Sequence, residues 1–150
     1  MKVIVVFASM SGNTEEMADA VAEGIRGQGA EAVLKDVFDT NASELTDYDA
    51  VLLGAYTWGD GDLPDEYLDF YDEMDDVDLS GKPSAAFGSA DSSYPEFGKA
   101  VNLLEEKLLS CGAVLAAEGL KVELNPSELE KEACRELGRR VAAAAAGVSG

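Results

Sequence analysis

Within six residues, Ser9-Met10-Ser11-Gly12-Asn13-Thr14 gathers three hydroxyls, one amide and one glycine, and no charged side chain. Such a set donates hydrogen bonds to an anion. It follows the apolar run Val3-Ile4-Val5-Val6-Phe7-Ala8 and opens a helical pattern, so it stands where a strand turns into a helix. The N-terminus of a helix offers backbone N–H groups without intrahelical partners and a partial positive charge, and glycine permits a backbone turn that a Cβ disfavours. No Lys or Arg lies between Lys2 and Arg26, whereas a triphosphate loop of the GxxxxGK[ST] kind requires its lysine. The loop therefore suits a phosphate monoester held by dipoles and neutral hydrogen bonds.

Other chemistries are excluded by what the chain lacks. It contains no histidine, which removes Ser-His-Asp and Cys-His nucleophiles, imidazole metal ligands and the usual near-neutral acid-base group. Cys111 and Cys134 are far apart with no CxxC, which speaks against a disulfide framework or thiolate metal site and for buried free thiols. Asp60, Asp62, Asp65 and Glu66 lack the calcium-loop spacing, so no metal site is expected. Gly24-Ile25-Arg26-Gly27-Gln28-Gly29 follows a helix instead of a strand and is set aside as a dinucleotide motif. Chemistry in such a chain falls to a bound cofactor.

The elements that must position the loop follow from the hydrophobic pattern. The 150 residues, 47% of them hydrophobic, fit one domain over 1-150 with a core and a small-ligand pocket. Apolar runs at residues 3 to 8, 51 to 56 and 84 to 88 lack alternation, as parallel strands covered on both faces do, and weaker strands fit 31 to 35 and 113 to 117. Helical patterns fill residues 14 to 28, 65 to 74, 97 to 110 and 127 to 146; Gly29 and Gly112 fall at C-terminal caps, and Ser127 with Glu130 reads as a helix start. This alternation predicts an α/β fold: a three-layer, doubly wound, five-stranded parallel sheet with helices on both faces. Ligands of such sheets bind beyond the C-terminal strand ends, at a switch point.

Three loops leave that edge. Besides the first, Tyr56-Thr57-Trp58-Gly59-Asp60-Gly61-Asp62-Leu63-Pro64 follows the third strand and Gly88-Ser89-Ala90-Asp91-Ser92-Ser93-Tyr94-Pro95-Glu96-Phe97 follows the fourth. The only tryptophan lies on one and a tyrosine on the other. Two aromatics on separate loops above a phosphate site are suited to sandwich a flat heterocycle that carries a phosphate.

These three segments, in order and spread along the chain, resemble the flavodoxin family in its short-chain form. Ser9-Met10-Ser11-Gly12-Asn13-Thr14 is similar to that family's FMN phosphate loop, Thr57-Trp58-Gly59-Asp60-Gly61 to the loop over the inner flavin face, and Ala90-Asp91-Ser92-Ser93-Tyr94 to the loop over the outer face. The resemblance implies strand order 2-1-3-4-5 and tight noncovalent FMN. It also implies that Trp58 and Tyr94 flank the ring, that Asp91 meets its polar edge through the backbone, and that residues 9 to 14 hold the phosphate. Ser89 and Phe97 complete the candidate cofactor-binding set. The peptide at Gly59 matches the one that flips on reduction in that family. Ala90 stands where the family commonly has glycine. The last strand runs into Gly119-Leu120-Lys121-Val122-Glu123 without the insertion of the long-chain branch.

The function so implied is low-potential, one-electron transfer between redox proteins, not enzymatic turnover; the alternative is an FMN-dependent NAD(P)H:quinone or small-molecule reductase. A receiver domain on the same fold would need acidic residues after strand one and an aspartate closing strand three, and neither is present. With 11 basic and 30 acidic residues the formal net charge is −19, which repels nucleic acid and anionic membranes and favours basic redox partners such as reductases or cytochromes. Solubility or a salty habitat explains the same acidity, and the run Asp72, Glu73, Asp75, Asp76, Asp78 reads equally as a solvated face or a docking surface. No stretch has the length of a membrane span or the flanks of a signal peptide, so a cytoplasmic monomer is expected.

Overall fold

The first strand shows why its sequence does not alternate. In a computed structural model that describes residues 1–8, 12–57, 63–90, 98–123 and 126–149, strand β1 (Lys2–Phe7) sends Val3, Val5 and Phe7 into one apolar cluster and Ile4 and Val6 into another. Both faces of the sheet are covered, so both side-chain sets must be apolar. Helices α1 (Asn13–Gly27) and α4 (Glu128–Ser149) cover the first face; α2 (Asp65–Glu73) and α3 (Lys99–Ser110) cover the second. Fully burying one such Val, Ile or Leu contributes about 1.5–3 kcal/mol.

The remaining strands are β2 (Glu31–Asp36), β3 (Ala50–Gly54), β4 (Pro83–Ala90), β5 (Val114–Leu115) and β6 (Leu120–Glu123), all parallel to their neighbours. Their order is β2-β1-β3-β4-β5, with β6 also on β4, which is the expected doubly wound arrangement. One detail differs from the sequence reading. The fifth position is two pieces: β5 pairs with Pro83 and Ser84, and β6 pairs with residues 87 to 90. The break falls before Gly119, whose N–H turns away to the Glu105 carboxylate at 2.8 Å and whose missing Cβ leaves room for the Val101 and Glu105 side chains.

Between β2 and β3, where the sequence shows no helical pattern, the chain forms the 3-10 turns Val37–Asp39 and Ala42–Asp47. Short polar side chains there bond locally: Asp36 Oδ1 accepts from Phe38 N–H at 3.0 Å, and Glu44 Oε2 accepts from Asn41 N–H at 2.7 Å. The second bond belongs to a capping box that starts the turn at Ala42. The expected caps are present. Gly29 and Gly112 take positive φ, and Ser127 and Glu130 exchange reciprocal bonds of 2.9 and 3.2 Å at the start of α4.

Gly24 and Gly138 explain how α1 and α4 meet. A Cβ on Gly24 would lie 1.9 Å from the Arg135 carbonyl oxygen, and one on Gly138 would lie 2.1 Å from that of Val21. Gly24, in the segment set aside as a nucleotide motif, thus serves helix packing, and Gly29 serves the cap.

Candidate functional site

Register brings three strand ends side by side. Phe7 pairs with Gly54 and Gly54 with Phe87, and hydrogen bonds continue beyond: Ala8 N–H to the Gly54 carbonyl at 3.1 Å, Ala55 N–H to Phe87 at 3.2 Å, Thr57 N–H to Ser89 at 3.1 Å. The strand order reverses between β1 and β3, with β2 added on one side of β1 and β3 on the other, so this edge is the switch point of the fold.

Gly12 closes the first loop as the N-cap of α1, with φ 91° and ψ −8°, a left-handed conformation in which a Cβ is strained. The first helical bond runs from Glu16 N–H to the Gly12 carbonyl at 3.0 Å, so the N–H groups of Asn13, Thr14 and Glu15 have no partner within the helix. Asn13 is partly exposed, whereas Thr14 is buried. Its Oγ1 lies 2.8 Å from Ser89 Oγ, a buried hydroxyl pair that ties α1 to the end of β4.

Thr57 bridges the other two loops. Its N–H reaches the Ser89 carbonyl, and its Oγ1 accepts from Ala100 N–H at 3.4 Å in the first turn of α3. Beside it, the Tyr56 hydroxyl donates to Glu66 Oε1 at 2.7 Å; burial and that carboxylate push the tyrosine pKa well up, so the phenol stays protonated. Ala90 is buried and pairs in register with Glu123.

Of the sequence-predicted site residues, Gly12, Asn13, Thr14, Thr57, Ser89 and Ala90 are thus brought to one edge. Ser9, Met10, Ser11, Trp58, Gly59, Asp60, Gly61, Asp91, Tyr94 and Phe97 lie outside the described residues, and with them the aromatic sandwich. Sequence reasoning missed the Thr14–Ser89 pair and the Tyr56–Glu66 bond. Only strand register could have revealed the first, because 75 positions separate its partners.

The gathered groups fit a phosphate monoester. Hydroxyls and amide N–H groups can donate to an acceptor-only anion, and the described first turn of α1 holds no basic side chain that would select a polyphosphate. Glu15 and Glu16 in that turn are exposed to solvent. A separate cavity of about 510 Å³ lies between residues 37 to 41 and α2, walled by Asp65, Glu66, Asp69 and Glu73; among the described residues, no candidate cofactor residue lines it. The downstream acidic run is partly engaged in structure: Asp75 pairs with Lys107, Asp78 accepts from Ser80, and Glu73 accepts from Ala42 N–H at 3.3 Å. Among the described residues, no helix is long and apolar enough to cross a membrane.

The family model described as Flavodoxin matches residues 5–138. "Probable flavodoxin 2" of Bacillus subtilis is 44% identical over 142 residues, which cover 94% of this chain and 94% of that protein. The flavodoxin of Maridesulfovibrio salexigens is 39% identical, covering 86% of this chain and 90% of its own length. The solved structure of oxidised flavodoxin 1 from Bacillus cereus superposes with a TM-score of 0.91 at 54% identity, over 94% of this chain and 97% of that one.

Proposed function

This chain belongs to the flavodoxin family, in its short-chain form, and binds FMN; from that premise we propose that it is a low-potential one-electron carrier working between redox partner proteins. When bound, FMN supplies the redox chemistry through its ring system. The chain, as one FMN-binding domain over 1-150, supplies binding, orientation and electrostatics.

At the phosphate end, the hydroxyls of Ser9, Ser11 and Thr14, the Asn13 amide and the open N–H groups of α1 donate to the monoester, with Gly12 setting the turn and Met10 a variable position of the loop. At the ring, Trp58 and Tyr94 flank the flat system and exclude water, Asp91 meets its polar edge through the backbone, and Thr57, Gly59, Asp60, Gly61, Ser89, Ala90 and Phe97 complete the wall. What supports this most is the buried Thr14–Ser89 hydroxyl pair beside the open first turn of α1, a neutral donor set where three strands end.

The acidity sets the direction of the redox bias. Each carboxylate near the site opposes added negative charge: at roughly 10 Å and an effective dielectric near 40, one unit charge contributes about 0.8 kcal/mol, or about 35 mV for a one-electron couple. Asp65 and Glu66 open α2, and Glu123 sits beside Ala90, all placed to add such terms. The same charge favours basic partner proteins over nucleic acid or anionic membrane, and we place the protein in the cytoplasm as a monomer. Mixing the oxidised holoprotein with NADPH tests the reading. No oxidation should occur until a partner reductase is added; rapid oxidation without one would transfer the protein to the reductase class.

A further inference from the structure

We propose that Ser89 is a positioning residue for the phosphate end of FMN: it donates to Thr14 Oγ1 and so turns the Thr14 hydroxyl proton toward the phosphate. The inference rests on the reading that residues 9 to 14 hold that phosphate.

Each hydroxyl has one proton and two lone pairs, so a bond between two of them uses a single proton and leaves two arrangements. If Thr14 donates to Ser89, its proton is spent and it offers a phosphate oxygen only lone pairs, which repel. If Ser89 donates, the Thr14 proton is free for the ligand. The 2.8 Å separation is compatible with either direction. The ligand chooses: a phosphate monoester near neutral pH is an acceptor, and a charge-assisted bond to it is roughly twice as strong as a neutral one. The chain Ser89 to Thr14 to phosphate then runs in one sense, each bond polarising the next.

Ser89 is suited to this task because its backbone is held on both sides. Its carbonyl accepts from Thr57 N–H at 3.1 Å, and it pairs in register with Val122 of β6. Thr14 is 1% exposed and Ser89 4%, so water competes little for either hydroxyl. A hydroxyl fixed on a buried strand therefore sets the direction of one carried by the helix that meets the ligand. This interaction senses the phosphate and not the ring, which gives it a signature of its own.

The test compares FMN with riboflavin, which lacks the phosphate, by quenching of flavin fluorescence on the full-length chain freed of flavin. Ser89→Ala should weaken FMN about tenfold, the fold-change of about 1.4 kcal/mol, and riboflavin less than about twofold; Ser89→Cys, which keeps the volume with a weak S–H donor, should show the same selective loss. In a Thr14→Val background Ser89→Ala should have no further effect. Equal losses for both flavins, unchanged FMN binding, or the same loss with Thr14 already replaced would each overturn the proposal. The underlying reading fails differently: the parent protein itself would then bind riboflavin as tightly as FMN.

Discussion

Replacing Gly24 with alanine tests whether the scaffold holds α1, and hence the first turn proposed to meet the phosphate, by the close helix contact described above. The added Cβ would lie 1.9 Å from the Arg135 carbonyl oxygen, 2.7 Å from its carbon and 2.9 Å from its Cα. A comfortable C···O approach is about 3.3 Å, so the helices must part by more than about 1 Å. Backbone atoms cannot swing aside as a side-chain tip can. Overpacking of this kind costs about 3 kcal/mol at the upper end of its usual range, and the better helix propensity of alanine returns about 1 kcal/mol. The net loss of about 2 kcal/mol corresponds to a Tm lower by about 4–8 °C for a domain of this size. Gly27→Ala is the control on the same helix, because a Cβ there meets nothing within 4 Å; its Tm should hold or rise. Thermal unfolding followed by circular dichroism reads both. Gly24 lies ten residues beyond Thr14, about 15 Å along the axis, so the preference for FMN over riboflavin should survive in the folded fraction. A Tm for Gly24→Ala within about 1 °C of the parent would refute the packing argument.

Thr14→Val keeps the side-chain shape but removes the hydroxyl, and it should weaken FMN by about 1–3 kcal/mol while leaving riboflavin nearly unchanged in a fluorescence titration. Electron exchange with a basic partner should slow steeply between about 10 mM and 0.5 M salt, over which the screening length shrinks severalfold; stopped-flow rates that stay flat would return the acidity to solubility alone. Burial pushes the Cys134 thiol up to about 12. The unfolded chain therefore loses this proton first, and stability should fall as pH rises from about 9 toward 12, by up to about 1.4 kcal/mol per unit; urea unfolding of the parent and Cys134→Ala at pH 8 and pH 10 isolates that contribution.

Much of the fold is legible in the sequence because burial on both faces leaves a simple mark. The run Val3 to Ala8 is apolar throughout since alternate residues enter the two cores on either side of one sheet. Helix caps were equally readable, because Gly29, Gly112 and the Ser127–Glu130 pair act within a few residues. The split of the fifth position was not, since it depends on Gly119 meeting Glu105 of a helix packed across the sheet. The 3-10 turns between β2 and β3 agree with the lack of a helical pattern there, and Asp36 and Glu44 fix them by accepting from nearby backbone N–H groups.

The site divides along the same line. Gly12 at positive φ and the open first turn of α1 follow from local rules for loops and helix starts. The Thr14–Ser89 bond and the Thr57–Ala100 contact join strand ends to helices far away in the chain, and only the folded register creates them. Buried Tyr67 belongs with these: its hydroxyl donates to the Val6 carbonyl at 3.1 Å across 61 positions.

In the function proposed above, bound FMN works as a one-electron couple held at low potential by an acidic chain. A potentiometric titration of the holoprotein, followed by flavin absorption, tests it most directly. Two resolved one-electron waves, the second lying well below the potential of free FMN and rising with added salt, are the predicted result. A single two-electron wave at the potential of free FMN would contradict it.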